Sequence, residues 1–246
     1  MRSWDAPAPA ELVYVVGDVH GCVDKLHTLL TRIDMDAGDH AGGSGKVVFV
    51  GDYIDRGEAS ADVLRFLAEM TADFPERIVA LMGNHERMML DFLADPTGAA
   101  KRWLRYGGLQ TLASFGVGAG LTTDSRNAGD LLDAAGDLRE AMGTDLVDWI
   151  KNLPLSWSTG TLWVTHAGAD PDLAMSVQKS KALLWGADTF LSQERTDGQW
   201  VAFGHQPFET PFAEQGRIAV DTGAVYGGVM TAARVDPSGD VRFLQS

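Results

Sequence analysis

The first third of the chain repeats one pattern that strongly limits its fold: a short apolar run ends abruptly in glycine and polar side chains. The runs occupy residues 12–16, 46–50 and 78–82, and helical spacing of apolar residues follows the first two. Strand, polar turn and helix in this order are typical of βαβ units, in which neighbouring strands are parallel. Because parallel strands end at one edge of their sheet, we expect the three polar clusters to meet there.

The turn at residues 51–57 is the most informative of the three. Asp52, Asp55 and Arg56 lie there between two glycines, directly after an apolar, β-branched run. These residues suit neither a core nor a helix, but they suit a turn whose charged groups face an open cleft. A carboxylate in that position can bind a metal ion, and an arginine can bind a phosphate group. We therefore predict that Asp52 bridges two metal ions.

The middle of the chain differs from both ends. Residues 88–153 contain helical patterns separated by glycine and proline, and no convincing strand. We predict a single domain over residues 1–246, with a helical cap-like insertion at 88–160. The predicted fold class is α/β, in the broad sense that includes α+β. Strands are predicted to resume at residues 161–165, 200–203, 218–220, 229–235 and 241–244.

Residue types that bind metals follow five of the predicted strands. They are Asp18 and His20, Asp52, Asn84 and His85, His166, and His205. Asp18 and His20 are two residues apart, so in extended backbone both point to one face and can serve one ion. Mixed oxygen and nitrogen ligands without thiolate suit manganese, iron or zinc better than calcium or a structural zinc. We expect two divalent metal ions, Mn²⁺ in the first place, with Fe, Zn, Ni or Co left open.

His85 has a separate predicted role if Asn84 is a metal ligand. Beside the metals, its imidazole can protonate the leaving alkoxide, and it then needs a partner that holds its tautomer. Asp55 is the candidate for that partner. Arg56 is predicted to bind phosphate oxygens bidentately.

These motifs, taken together and in this order, carry a resemblance to a known family. They are the segments GDVHG (17–21), GDYIDRG (51–57), GNHE (83–86), HAG (166–168) and GH (204–205). The chain resembles the calcineurin-like metallophosphoesterases, and more closely the bacterial and phage members of the phosphoprotein phosphatase family. The resemblance extends from about residue 12 to residue 226. It implies a four-layer β-sandwich flanked by helices, with a dinuclear metal site at the strand ends.

The resemblance also implies a role for each site residue. The first metal ion would be held by Asp18, His20 and Asp52. The second would be held by Asp52, Asn84, His166 and His205. The catalytic and substrate-binding residues would be His85 as general acid, Asp55 as its orienting partner, Arg56 as phosphate binder, and Asn84 and Tyr226 beside the substrate.

One position departs from the family pattern. Related phosphatases carry an arginine shortly after a tryptophan, at the place where this chain has Ala187. The second phosphate-binding arginine is therefore absent or displaced. The residues that could replace it are Arg102, Arg105, Lys179, Lys181 and Arg195, and the sequence leaves the choice open.

The predicted function is metal-dependent hydrolysis of phosphate monoesters, similar to that of serine/threonine protein phosphatases. The reaction would proceed by direct attack of a hydroxide that bridges the two metals. The substrate would be a phosphorylated protein or a small phosphoester. One alternative is hydrolysis of a phosphoanhydride, as in the related diadenosine tetraphosphate hydrolases, because the same metals serve both reactions. A lower-ranked alternative is a non-catalytic phosphate-binding regulator.

The composition limits which binding partners and which cellular compartment we expect for this chain. With 20 basic and 34 acidic residues the formal net charge is −14, which argues against broad electrostatic binding to nucleic acid or to anionic membranes. The single cysteine, Cys22, excludes an intrachain disulfide and suits a reducing compartment. Residues 1–10 lack a signal-peptide core, and no apolar run is long enough to span a bilayer. The expected location is the cytoplasm, and the oligomeric state is left open.

Some polar residues receive plainer interpretations. We expect Glu86 to be a first-turn acid that the helix dipole stabilises. Asp221 is either a turn residue or an acceptor for a hydrogen bond from a ligand histidine, and we favour the second interpretation. His27 and His40, which lie in no motif, are expected on the surface.

Overall fold

The computed structural model describes residues 4–39 and 45–246, so His40 and most of the loop before the second strand lie outside the described residues. The described strands form two five-stranded sheets. They are β1 (Val13–Val16), β2 (Lys46–Phe49), β3 (Ile78–Ala80), β4 (Ser156–Thr159), β5 (Leu162–Thr165), β6 (Trp200–Phe203), β7 (Phe212–Glu214), β8 (Arg217–Ala219), β9 (Thr231–Val235) and β10 (Val241–Gln245).

Both sheets combine parallel strands with antiparallel neighbours at their edges. The order in the first sheet is β10-β9-β1-β2-β3, and in the second it is β4-β5-β6-β8-β7. Strands β1, β2 and β3 are parallel to one another, as are β5, β6 and β8. The carboxyl ends of each parallel set therefore lie at a common edge of their sheet.

Helices fill most of the remaining chain. They are α1 (Val23–Gly38), α2 (Ser60–Asp73), α3 (Asn84–Ala94), α4 (Pro96–Trp103), α5 (Leu109–Ser114), α6 (Ala128–Met142), α7 (Thr144–Lys151) and α8 (Ser180–Trp185). A π-helical turn, Leu104–Gly108, joins α4 to α5, and short 3₁₀ turns occupy Met175–Val177 and Ala224–Tyr226. None of the described helices is both long and apolar enough to cross a membrane.

The two sheets pack face to face, and helices cover the outer face of the first. Along β1 the side chains alternate between two apolar clusters: Val13 and Val15 face the second sheet, whereas Tyr14 and Val16 face the helices. A strand that is buried on both faces must be apolar throughout, which explains the unbroken run in the sequence. The predicted fold class, a β-sandwich flanked by helices, is confirmed.

The helices between β3 and β4 pack into the main core. Phe92, Trp103 and Leu138 are buried in the same apolar cluster as Leu26 of α1 and Leu64 of α2. The last of these helices ends at Lys151, and strand β4 already belongs to the second sheet. The helical segment is therefore shorter than the predicted range 88–160. Strands β4 and β7 escaped prediction because they are short edge strands without a fully buried apolar run.

Candidate metal centre

The turns that follow the parallel strands adopt backbone conformations that are rare for residues other than glycine. Among the described residues, six non-glycine residues have positive φ, and five of them belong to the predicted site. Such conformations cost energy and persist where the surrounding structure holds them, most often at functional sites. The five site residues, with their φ angles, are His20 (44°), Asp52 (55°), Asp55 (71°), Arg56 (68°) and His205 (67°).

Asp52 lies at the centre of the cluster, and its role as a bridging ligand stays a prediction. Its Oδ2 atom is 3.6 Å from His20 Nε2 and 3.8 Å from His85 Nε2, and its Oδ1 atom is 3.4 Å from His166 Nε2. The backbone N–H of His85 donates to Oδ1 at 3.0 Å, which fixes the orientation of the carboxylate. Two groups of side chains that could hold a metal ion share Asp52. The first contains His20 and His85, and the second contains His166 and His205.

The second group brings together residues from both sheets. Asn84, at the start of α3, places its Oδ1 atom 2.8 Å from His166 Nε2 and 2.8 Å from His205 Nδ1. The two imidazole nitrogens are 3.2 Å apart. His166 follows β5 and His205 follows β6, whereas Asp52 and Asn84 follow β2 and β3. The sandwich therefore assembles this group across the interface between its sheets.

The atoms of this cluster fit a cation. His166 Nδ1 lies 3.2 Å from the Val50 carbonyl oxygen and His20 Nδ1 lies 2.7 Å from that of Ile54, so each Nδ1 carries the proton. Each Nε2 atom then presents a lone pair to the cluster. The lone pair of His166 faces the Asn84 oxygen, which is also an acceptor. Two facing acceptors repel each other unless a positive ion lies between them, as in metal sites whose histidines are oriented by carbonyl groups.

Buried carboxyl groups also favour a cation at this cluster. Asp18 and Asp52 are both buried, and that burial raises the pKa of each well above its usual range. Nearby negative charges, on Asp221 for Asp18 and on Glu86 for Asp52, raise these pKa values further. A divalent cation reverses this balance, because it favours the ionised form of every adjacent carboxyl group.

Asp18 differs in detail from the arrangement expected from the resemblance. Both of its carboxylate oxygens accept the backbone N–H of His205 at 3.0 Å, and they join neither of the two ligand groups. The structure thus places Asp18 beside the cluster, where it fixes the turn that presents His205. Its role as a ligand to the first ion stays a prediction.

His85 and Asp55 form the predicted pair. His85 Nδ1 lies 2.6 Å from Asp55 Oδ2, so the opposite nitrogen, Nε2, faces Asp52. Burial raises the pKa of Asp55 to about 8, although hydrogen bonds from Thr111 and Trp103 lower it. Burial also lowers the pKa of His85 to about 2, with the charge of Arg56 acting in the same direction.

Two residues of the helical segment hold this pair, and neither was assigned that role from the sequence. Trp103 Nε1 donates to both oxygens of Asp55, at 3.1 and 3.0 Å, and Thr111 Oγ1 donates to Oδ1 at 2.5 Å. Both side chains are buried. The π-helical turn between them contacts the same loop: Gly107 has φ 112°, and a Cβ atom there would lie 2.5 Å from Arg56 N. Glycine is therefore required at this close approach.

Glu86 has a larger role than the first-turn acid that we predicted. It is fully buried, and its carboxylate accepts the backbone N–H groups of Asp52 (2.9 Å), Tyr53 (2.8 Å) and Gly83 (2.9 Å). The helix dipole is thus a minor part of its environment. Glu86 thus connects the turn that carries Asp52 to the start of α3. An acidic residue in the first turn of a helix is common, so the local sequence does not indicate the hydrogen bonds to Asp52 and Tyr53.

Arg56 and two tyrosines line the approach to the cluster. Arg56 Nη1 is 3.0 Å from His20 Nε2, and its guanidinium lies over the Tyr226 ring, 5.4 Å from the centroid. Tyr106 contacts His85 edge-on, with ring centroids 6.3 Å apart. Tyr226 was expected near the substrate, whereas Tyr106 was missed because no local motif contains it.

The candidates that could replace the phosphate-binding arginine missing at position 187 lie in different environments. Arg195 is buried and pairs with Asp197, and Arg105 pairs with the exposed Asp124. Arg102 alone of the three lies over an aromatic ring next to the cluster, that of Trp185. Lys179 and Lys181 are exposed around the start of α8.

Two minor expectations have clear outcomes. Asp221 Oδ1 accepts the backbone N–H of Gly223 at 2.9 Å, a contact typical of a turn residue, and no histidine donates to Asp221 among the described residues, so the turn interpretation replaces the favoured one. His27 is exposed on α1, as expected, and contacts the Phe66 ring edge-on.

A two-sheet sandwich that gathers carboxylate, imidazole and amide ligands at its strand ends is the architecture of a metallophosphoesterase. Residues 12–209 match the family model described as calcineurin-like phosphoesterase. The chain therefore belongs to the calcineurin-like phosphoesterase family, as its motifs predicted.

Similar proteins cover nearly the whole chain. The symmetrical bis(5'-nucleosyl)-tetraphosphatase of Ralstonia nicotianae is 28% identical and spans 90% of this chain and 88% of its own length. Serine/threonine-protein phosphatase 1 of Salmonella typhimurium is 29% identical and spans 91% of each chain. The solved structure of a cold-active protein-tyrosine phosphatase from a psychrophilic Shewanella species has the same fold, with a TM-score of 0.60 and 19% identity over 98% of this chain and 82% of that one.

Proposed function

We propose that this chain is a metal-dependent hydrolase that cleaves a phosphoanhydride bond of dinucleoside polyphosphates. The observation that carries this choice is the pair of exposed tyrosines at the site: Tyr106 is 50% exposed and Tyr226 is 63% exposed. Large exposed rings next to a phosphate site offer stacking surfaces for nucleobases. The tetraphosphatase relative at 28% identity supports the same substrate class.

The second candidate is hydrolysis of phosphate monoesters on serine and threonine side chains, the reaction that the motifs first suggested. It is favoured by the phosphatase relative at 29% identity. A panel of diadenosine tetraphosphate, a phosphoserine peptide and p-nitrophenyl phosphate, assayed with Mn²⁺, separates the two. We expect the highest kcat/KM on diadenosine tetraphosphate, and a higher value on the phosphopeptide would replace the first candidate with the second.

Both reactions would use the same groups of the chain. One ion would be held by His20 and Asp52 with Asp18 beside them, and the other by Asp52, Asn84, His166 and His205. When bound, such ions lower the pKa of water and polarise phosphoryl oxygens. Arg56, whose Nη1 is 3.0 Å from His20 Nε2, would hold the phosphoryl oxygens, because its fork of N–H groups matches their geometry.

In this proposal His85 delivers a proton from Nε2 to the leaving oxygen. Asp55, through its 2.6 Å contact with Nδ1, holds the ring so that Nε2 faces the cluster. A phosphate dianion beside the ring favours the protonated imidazole, and so opposes the burial that lowers the pKa of His85. Trp103 and Thr111 keep Asp55 in place from the helical segment.

His85→Asn tests whether this residue is an acid or a ligand. We expect kcat to fall by about 10²–10⁴-fold on substrates with basic leaving groups, and less on p-nitrophenyl phosphate, whose leaving group needs little protonation. Metal content, measured by mass spectrometry of the purified protein, should stay at the wild-type value. Loss of one metal equivalent would instead identify His85 as a ligand, which its position 3.8 Å from Asp52 allows.

Tyr106→Ala and Tyr226→Ala test the stacking surfaces. Each should raise KM for diadenosine tetraphosphate by about tenfold, because a stacked base contributes ~1–3 kcal/mol. The matched variants Tyr106→Phe and Tyr226→Phe keep the ring and should keep KM within about twofold of wild type. β-Glycerol phosphate, which has no aromatic group, serves as the control substrate. An equal rise in KM for both substrates would exclude base stacking.

A further inference from the structure

We propose that Arg102 binds a phosphate group of the substrate that neighbours the one being cleaved, and thereby favours polyphosphates over simple monoesters. This inference rests on the proposed function and names a specificity residue for it. Arg102 is exposed in the last turn of α4, and its guanidinium lies 3.9 Å from the centroid of the Trp185 ring. The Trp185 ring in turn contacts His205 edge-on, with centroids 6.5 Å apart.

The position of Arg102 follows from the residue next to it. Trp103 is buried and donates to both oxygens of Asp55, so the end of α4 is anchored at the catalytic pair. The preceding side chain, Arg102, leaves the helix toward Trp185 on the His205 side of the cluster. Arg56 lies on the His20 side. The two guanidinium groups therefore flank the ligand cluster from different sides.

The guanidinium of Arg102 is available to a ligand. In the part of the chain that the structure describes, none of its N–H groups has a hydrogen-bond acceptor, and it takes part in no ion pair. Stacking on an indole holds the plane of a guanidinium and leaves its N–H edges free. The two carboxylates in the adjoining groove are already engaged, since Asp91 pairs with Arg87 and Asp95 caps α4 through Gly98 N.

Two features favour binding of Arg102 to a phosphate group next to the cleaved one, rather than to the phosphate group that reacts. Arg56 already contacts the cluster directly, at 3.0 Å from His20 Nε2, whereas the Trp185 ring separates Arg102 from His205. A monoester has one phosphate, which the metal ligands and Arg56 surround. A polyphosphate presents further anionic groups in a row, and a free guanidinium set back from the cluster can bind one of them bidentately.

Calorimetric titration of the metal-loaded protein tests this inference without turnover. Imidodiphosphate, a hydrolysis-resistant pair of linked phosphates, and inorganic phosphate are each titrated into wild type and Arg102→Ala. The variant should bind imidodiphosphate about tenfold more weakly, because a charge-assisted hydrogen bond to phosphate is lost, and inorganic phosphate within about twofold of wild type. Arg102→Lys, which keeps the charge but loses the fork, should give an intermediate Kd for imidodiphosphate.

Arg105→Ala is the matched control, because it removes the same charge three residues later from a side chain that pairs with Asp124. Chelation of metal by imidodiphosphate is common to all variants and cancels in the comparison. Unchanged imidodiphosphate binding in Arg102→Ala would overturn the inference, and so would an equal loss for inorganic phosphate or an equal loss in Arg105→Ala.

Arg102→Gln repeats the test with a side chain of similar polarity if the alanine variant unfolds. Failure of wild type to cleave diadenosine tetraphosphate would reject the proposed function only, since these titrations need no cleavage.

Discussion

Asp52→Asn should abolish binding of both metal ions and lower kcat/KM by about 10³-fold or more, with the fold intact. Asp52 is the one carboxylate shared by both ligand groups, and three imidazoles lie within 3.8 Å of its oxygens. Asparagine removes the negative charge that two adjacent cations need between them. It keeps an oxygen that can accept the backbone N–H of His85, so the local structure is preserved.

The Asp52→Asn variant also allows the effect on metal binding to be separated from the effect on the stability of the metal-free protein. Burial and the charge of Glu86 raise the pKa of Asp52, so without metal the ionised carboxylate is unfavourable in the folded state. The neutral asparagine should therefore leave the free energy of unfolding of the metal-free protein unchanged or slightly higher. Added Mn²⁺ should raise the melting temperature of wild type and have no effect on the variant.

Metal content by mass spectrometry, melting temperature with and without Mn²⁺, and kcat/KM are the measurements. Asp148→Asn, an exposed carboxylate paired with Lys151, is the matched control and should behave as wild type. An Asp52→Asn protein that retains two metal equivalents and normal turnover would contradict the assignment of the site.

Glu86→Ala should destabilise the protein by about 3–9 kcal/mol, because three buried N–H groups lose their acceptor at ~1–3 kcal/mol each. These belong to Asp52, Tyr53 and Gly83. This loss of stability is a large share of the ~5–15 kcal/mol that stabilises a typical domain.

Glu86→Gln refines the test. Its amide keeps one oxygen but turns an NH₂ group toward N–H donors, so we expect a smaller loss of stability and a weakened affinity for metal, because the Asp52 turn is no longer held. Urea denaturation of the metal-free proteins and Mn²⁺ titration measure the two effects separately. Glu140→Gln, on the exposed face of α6, controls for the loss of a negative charge. A Glu86→Ala protein as stable as wild type would show that these three N–H groups find other acceptors at no cost.

The ligand types and their order were accessible from the sequence because they obey a local rule. A short apolar strand, a glycine and a polar residue recur at Asp18, Asp52, Asn84 and His205, whereas His166 follows its strand directly and has its glycine two residues later, at Gly168. Each of these turns can be recognised from a few adjacent residues. The family and the sandwich fold follow from the same motifs.

The residues that escaped prediction act through distant contacts. Trp103 and Thr111 reach Asp55 from 48 and 56 residues further along the chain, and Glu86 reaches Tyr53 across 33 residues. Their local sequence suits an ordinary helix, so nothing near them indicates a hydrogen bond to the site. Arg102 is one of five candidates that the sequence leaves open for a phosphate-binding side chain, and its contact with Trp185 of a different helix is visible only in the structure.

By itself, the sequence determined which side chains are presented at strand ends, because strand propensity, glycine turns and polar side chains are properties of neighbouring residues. Only the tertiary structure decided which of them meet. The packing of two sheets face to face brings His166 and His205 from one sheet to Asp52 and Asn84 of the other. Burial of the helical segment in the shared core then places Trp103 against Asp55, because apolar contacts between distant segments, and not local propensity, set the position of that helix.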